Sequence, residues 1–540
     1  MSRPSTLFAL CCALWWSASF SLSAHGQDRI PPDASSESVA SAPPAPAPAP
    51  APAPRPRALW VLAEGSQRVL EHPDRLDELF VDVAALDITD LFVQVYRGGR
   101  AWFPSSRADS APSERVFRAG APGETSRDGL QILLDRAEAA GVRVHAWVNV
   151  LSLSKNRDAP IVRELGRDVV LSDQRGRSLL DYPNFEAPAP EGDYYRMGTP
   201  GIYLDPAFPG VAQYLSETFD ELLTQYPAFS GLHFDYIRYP DVLPFSPGLR
   251  FGVGISLGHG AASRARFEQE TGLVAPDGDS LGHGSRFDDW RREKLTDLVA
   301  YVGNRARATR PGLTISAAVI SYADRAYLSL FQDWRGWLEE GLIDIAAPML
   351  YSKDPRIVRY GVEHFAGLPY AERIWVGLGS WLFADRPERA LAQLGEVESR
   401  PPLGVALFSW DSIRQSDPLR TALARSAEPA PPPETEAHEF PTRAIAEDMD
   451  AEETSEPAVP APEPDRLEPV MESGAPAASE TSPSETVETP FEAAIEESSA
   501  DPASIEPLAD PESIEAPAAD PAPIEPPPTE PESIETPAAP

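Results

Sequence analysis

Cysteine is almost missing from the chain. Cys11 and Cys12 are the only two, and both fall inside an apolar run near the N-terminus. Without that run the chain has no disulfide, no thiolate metal site and no cysteine nucleophile. The small disulfide-scaffold class is thereby excluded, and the folded body must be held by its own core. Long apolar spans are missing too. Leu7 to Phe20 is mainly apolar but shorter than the ~20 residues a membrane-spanning helix needs, and no other stretch is long and apolar enough. Arg3 precedes this run, and Ala24-His25-Gly26 follows it as a small-x-small site. Residues 1–26 therefore read as a cleaved secretory signal, which predicts a secreted or periplasmic protein with no membrane span after cleavage. Leu10 and Cys11 are not the small residues that precede a lipid-attachment cysteine.

Positive charge is scarce, but unevenly. The formal net charge is −37. Residues 426–540 hold 30 acidic residues against two arginines, and the rest of the chain carries only −9. A near-balanced body and an acidic tail argue against a nucleic-acid partner. The tail is Pro-, Ala- and Glu-rich, with a degenerate repeat starting at Asp501, Asp510, Asp520 and Glu530. Such a unit is too short and too polar to stack as a solenoid. The tail is expected to be disordered, serving as a solubilising segment or as an acidic tether for a protein partner of unknown identity. Residues 27–57, ending in an Ala-Pro repeat, read as an extended spacer.

What remains, residues 58–425, contains nine of the 11 tryptophans and the clear apolar periodicity. Strands are expected at 59–63, 91–96, 142–148, 232–236, 313–319, 343–350, 374–379 and 405–410. Helices are expected at 74–86, 129–140, 210–226, 286–307, 333–340, 357–365, 387–397 and 418–424. Strict alternation implies parallel strands with right-handed crossovers. Eight such units imply a (β/α)₈ TIM barrel with insertions after strands three and four, flanked by disordered segments. No Gly-rich phosphate loop follows an early strand, which disfavours an open doubly wound sheet.

In such a barrel the chemistry sits at the C-terminal strand ends. Strand three alternates so that His145, Trp147 and Asn149 point inward. Strand four, Gly231-Leu-His-Phe-Asp-Tyr-Ile-Arg-Tyr-Pro240, turns Gly231, His233 and Asp235 inward and Leu232, Phe234 and Tyr236 into the wall. His145 and His233 then lie deep, as a hydrogen-bonded core pair or as groups orienting Asp235. No tight motif supports a metal site built from them. A carboxylate at a strand mouth must be hydrated, paired or working, and Arg238 is the obvious pairing partner for Asp235. Glu64, Asp324, Asp354 and Asp411 are further acids near strand ends, so a two-carboxyl hydrolytic pair is available. Trp102, Trp147, Trp381, Trp410, Tyr239 and Tyr351 also fall at strand ends, where flat rings suit the apolar faces of sugars. No Ser/His/Asp order or nucleophile elbow is present, which disfavours acyl transfer.

Gly231–Pro240 resembles the signature of the glycosyl hydrolase-like 10 family of exported bacterial (β/α)₈ proteins. Val93-Gln-Val-Tyr-Arg-Gly-Gly-Arg-Ala-Trp-Phe-Pro-Ser105 is similar to its second-strand motif and Val144-His-Ala-Trp-Val-Asn149 to its third. Tyr203-Leu-Asp-Pro206, Gln332-Asp-Trp334 and Pro348-Met-Leu-Tyr351 match later elements in order. The resemblance implies an exported hydrolase of a cell-envelope polysaccharide, peptidoglycan glycan strands among the candidates, working without a cofactor. It assigns the catalytic role to Asp235. Glu64 is our choice for the second carboxylate. Substrate contacts are expected from Gln94, Trp102, His145, Trp147, Asn149, His233, Tyr236, Arg238, Tyr239, Tyr351 and Trp410. The family's second-strand motif carries an acid where Arg100 stands. That departure keeps a second reading open, a silent barrel that binds envelope glycan.

Overall fold

A computed structural model of the chain describes residues 55–120, 126–245, 254–277 and 283–427. The signal segment, nearly all of the spacer and nearly all of the acidic tail lie outside these residues.

Eight parallel strands form the centre: β1 (Arg57–Val61), β2 (Asp90–Arg97), β3 (Arg143–Asn149), β4 (Gly231–Asp235), β5 (Thr314–Ile320), β6 (Ile345–Met349), β7 (Trp375–Gly379) and β8 (Gly404–Phe408). Each pairs with its sequence neighbour, and β1 pairs with both β2 and β8, so the sheet closes on itself as a (β/α)₈ barrel. The expected fold class therefore holds. The crossover helices are α1 (Pro73–Ala85), α2 (Gly129–Ala139), α3 (Val211–Gln225), α4 (Gly284–Thr309), α5 (Trp334–Glu339), α6 (Pro355–Ala366) and α7 (Pro387–Glu398), with α8 (Asp417–Ala427) last.

The local chemistry explains these elements. Proline occupies the first turn of α1, α6 and α7, where its missing N–H costs nothing. Asp128, Asp333 and Asp354 each accept a backbone N–H at the start of α2, α5 and α6. One face of α1 buries Leu76, Leu79 and Val83, and one face of α2 buries Leu130, Leu133, Leu134 and Ala137. Both faces belong to the large cluster between helices and sheet. A second, smaller cluster fills the barrel interior with Trp60, Phe92, Trp147, Ala318, Ala347, Trp375 and Ala406.

The excess length sits where the sequence places it, after β3 and β4. The two inserts are tied together by an antiparallel ladder between Tyr195–Met197 and Val242–Pro244. Asp205, in the Leu-Asp-Pro element, accepts from Ser263 Oγ at 2.7 Å and joins the first insert to the helix Ala261–Thr271 in the second. That pairing was not legible from either insert alone. Two strand ends also differ from expectation. β4 stops at Asp235 because Tyr236 adopts a left-handed backbone, φ 50°. β8 stops at Phe408, and Trp410 opens a short helix, Trp410–Arg414.

Gly231 shows how tightly the floor of the barrel is packed. A Cβ there would lie 2.2 Å from His145 Nδ1 and 2.8 Å from the Thr314 carbonyl. Gly231→Ala should cost about 1–3 kcal/mol of stability through overpacking. The check is the midpoint of urea unfolding, and an unchanged midpoint would contradict this packing.

Candidate active site

The site stands on a buried polar layer. Trp60 Nε1 donates to His233 Nε2 at 3.1 Å, and His233 Nδ1 lies 2.9 Å from Ser316 Oγ. An indole N–H can only donate, so Nε2 must accept and the proton sits on Nδ1. Burial pushes the imidazole well below its ordinary pKa, and the nearby His145 adds to this, so His233 is neutral. The Phe92 ring stacks on it at 3.9 Å. His145 Nε2 meets Asp90 Oδ1 at 3.1 Å. Burial alone would raise the Asp90 carboxyl, but hydrogen bonds from His145 and Arg143 outweigh it and hold the group below its usual range. Both histidines are thus engaged below the mouth with Trp60, Ser316 and Asp90. Expected as substrate contacts, they are corrected to supports of the floor.

One period higher lies the mouth. The β3–β4 register sets Asn149 opposite Asp235 and Trp147 opposite His233. Trp147 Nε1 donates to Asp235 Oδ2 at 3.1 Å, and the Tyr236 backbone N–H donates to Oδ1 at 2.7 Å. The left-handed turn at Tyr236 brings that N–H back onto the preceding side chain. Arg238 Nη1 stands 3.6 Å from Oδ1, and its guanidinium lies over the Tyr236 ring at 4.6 Å. Asp235 is only 6% exposed. Burial raises its carboxyl above the ordinary value, and Arg238, the Tyr236 N–H and Trp147 only partly offset this. Burial, reinforced by the charge of Asp235, raises the Tyr351 phenol well above its usual value and keeps it protonated. Beside Asn149, Gln94 Nε2 reaches Asn149 Oδ1 at 3.5 Å, while Gln94 Oε1 is buried with no partner.

A second cluster forms from the loop after β1 and the end of β2. Glu64 Oε2 receives Arg97 Nη1 at 2.8 Å and Arg100 Nη2 at 2.7 Å. The acids weighed against Glu64 have other work. Asp411 accepts from the Gln67 N–H and from Ser66 Oγ, and a Cβ at Gly65 would collide with it. Asp354 caps α6, and its hydrogen bonds with Arg356 lower its pKa to about 2. Asp324 is exposed on the helix Ala323–Ser329.

The rim aromatics divide. Trp147 and Tyr351 belong to the mouth, and Tyr351 packs edge-on against Trp381 at 4.8 Å. Three others are corrected. Trp410 is fully buried, its Nε1 donating to Asp82 Oδ2 at 3.0 Å in the helix layer. Trp102 lies wholly within the large core cluster. Tyr239 is buried edge-on against Phe331. These rings leave no open face for a sugar. Phe408 was missed, although it contacts Trp60, Trp147, Tyr351 and Trp381. Its signal was the two-residue period of β8, which turns Phe408 inward together with Ala406.

Glycosyl hydrolase DigH of Escherichia coli (strain K12) is 27% identical over 324 residues, covering 56% of this chain and 64% of that one. Glycosyl hydrolase YngK of Bacillus subtilis (strain 168) is 22% identical over 298 residues, covering 52% and 50%. The chain thus spans less than two thirds of the length of either relative. Among solved structures, the PgaB (BpsB) glycoside hydrolase domain from Bordetella bronchiseptica aligns with a TM-score of 0.48 at 16% identity, covering 69% of this chain and 98% of that one. The glycoside hydrolase domain of a PelA variant from Pseudomonas aeruginosa aligns with a TM-score of 0.34 at 11% identity, covering 66% and 96%. The family model described as glycosyl hydrolase-like 10 matches residues 55–360, more than half of the sequence, and spans the six strands β1 to β6, ending before β7 and β8. The chain belongs to the glycosyl hydrolase-like 10 family.

Proposed function

We propose that the protein is an exported glycoside hydrolase that cleaves a bacterial cell-envelope polysaccharide, with peptidoglycan glycan strands as the first candidate. The observation that carries this reading is Asp235, a buried carboxyl at the barrel mouth whose pKa is raised by desolvation. A glycosidic leaving group needs a proton, and a carboxyl kept protonated above its ordinary range is suited to deliver it. Trp147 and the Tyr236 N–H hold the two carboxyl oxygens in place. When the proton leaves, the same donors and Arg238 stabilise the anion. Tyr351 and Phe408 line the same wall, and the Gln94–Asn149 pair supplies amide groups for sugar hydroxyls. Glu64 is the proposed second carboxylate, positioned by Arg97 and Arg100.

The second reading is a catalytically silent, glycan-binding barrel. The double ion pairing of Glu64 favours it, because Arg97 and Arg100 both occupy the Oε2 oxygen that would have to meet the substrate or its water.

Release of soluble fragments from purified peptidoglycan glycan and from a panel of envelope polysaccharides separates the two. Asp235→Asn should lower turnover by roughly 10²–10⁴-fold, the usual contribution of a general acid, and equal release by wild type and variant would remove Asp235 from the mechanism. Glu64→Gln should also abolish most release while leaving glycan pull-down intact. No release by the wild type, with pull-down intact, would select the binding barrel.

The pH profile supplies a further check. Asp235 must be protonated to act, so activity should fall as pH rises through its raised pKa. Trp147→Phe removes a donor that stabilises the carboxylate, so the pKa should rise further and the alkaline limb should move up by about one unit. A limb that stays in place would assign it to another group.

A further inference from the structure

Arg97-Gly-Gly-Arg100 is a two-residue hairpin. Gly98 and Gly99 have φ of 63° and 76°, the left-handed pair that a type I′ turn requires and that glycine adopts without strain. Arg97 and Arg100 are directly opposite across the two-stranded ladder and therefore share one face. Like charges at such positions repel, so the hairpin needs an anion between them. Glu64 is that anion, and it meets both guanidinium groups through one oxygen, Oε2.

The two arginines are not equivalent. Arg97 is buried, whereas about a third of the Arg100 side chain, 32%, faces solvent. The Arg100 guanidinium lies 5.9 Å from the centre of the Trp102 ring, which limits its freedom. It has five donors, and Glu64 engages one edge. Asp109, bridged to Arg100 along the backbone, accepts the Ala111 N–H, and the acids at other strand ends are engaged elsewhere. Asp411 is held by the Ser66–Gln67 segment, Asp241 pairs with Arg325, and Asp354 pairs with Arg356. Asp235, beside Arg238, is disfavoured as an anion by its burial. Outside the acidic tail the chain carries a formal charge of −9, so cationic surplus at these strand ends is not an average property of the protein.

We propose that Arg100 forms an anion subsite at the barrel mouth that takes a carboxylate carried on a sugar of the substrate, so that the protein selects acidic over neutral glycans. This rests on the proposed polysaccharide substrate but not on catalysis. A planar guanidinium offers a carboxylate two parallel N–H donors, a geometry that lysine does not reproduce.

The test measures binding in full-length protein carrying Asp235→Asn, so that the ligand stays intact. The probes are a peptide-free oligosaccharide containing muramic acid and the same oligosaccharide with its carboxyl groups reduced to alcohols. Calorimetry should show the carboxylated ligand binding about tenfold tighter than the reduced one at low salt, with the preference shrinking as salt rises. In Arg100→Gln the two ligands should bind alike, and Arg100→Lys should restore only part of the preference. The ligand pair tests the subsite with Arg100 in place, so the result does not depend on the variants folding. Equal affinity of the two ligands for the Arg100 protein, or no binding of either, overturns the subsite. Fragment release by the wild type is measured separately and can fail or succeed without altering this outcome.

Discussion

A neutral imidazole wedged beneath the mouth governs the arrangement above it. His233 accepts from Trp60 on β1, lies within hydrogen-bonding distance of Ser316 on β5 and stacks on Phe92 from β2. One ring thereby ties four strands at one height. The role requires neutrality, since a protonated ring would turn both nitrogens into donors and leave the Trp60 N–H facing another N–H. Burial supplies that neutrality. With His233 fixed and a period of two residues along β4, Asp235 has only one place to go, one layer higher beside Trp147 and Asn149. The acid's position is therefore inherited from a residue that performs no chemistry.

Burial raises both Asp90 and Asp235, yet the two carboxyls shift in opposite directions from their ordinary values. Asp90, at the start of β2, is surrounded by His145, Arg143 and Thr89, and their donors outweigh desolvation. Asp235 has donors too, but its guanidinium partner stands at 3.6 Å rather than in contact, and desolvation prevails. The first carboxylate is locked as a structural anion. The second is left able to hold a proton and to release it into a setting that accepts the resulting charge. The difference lies in the number and closeness of donors, since both groups are buried.

Most of the fold was legible in the sequence because both periodicities report burial directly. The alternation in β3 and β4 identified the inward set, and the register confirms it: Asn149 faces Asp235 and Trp147 faces His233. The rim was harder to read. Trp410 and Tyr239 follow strand ends by sequence position, but position along the chain does not say which way a side chain turns once the strand stops. Trp410 enters a short helix and buries its ring against α1, where Asp82 takes its N–H. Phe408, two residues earlier and still in the strand, keeps the alternation and joins the inner wall. The ladder between the two inserts was likewise hidden, since pairing between distant irregular segments leaves no local pattern.

The Arg97–Arg100 hairpin shows why a substitution at a functional rim cannot be judged by its own charge alone. An acid at position 100 would stand across the ladder from Arg97 and neutralise it within the hairpin, leaving Glu64 free of that contact. With arginine at that position, Glu64 becomes the bridge and the excess charge passes to the solvent-facing edge of Arg100. One change therefore alters two properties together. It restrains the carboxylate that hydrolysis would use, and it gives the mouth a preference for negative charge. A glycan that brings its own carboxylate can relieve both effects at once, because it offers Arg100 a second partner and weakens its hold on Glu64. On this account the substrate's charge is part of how the site is completed.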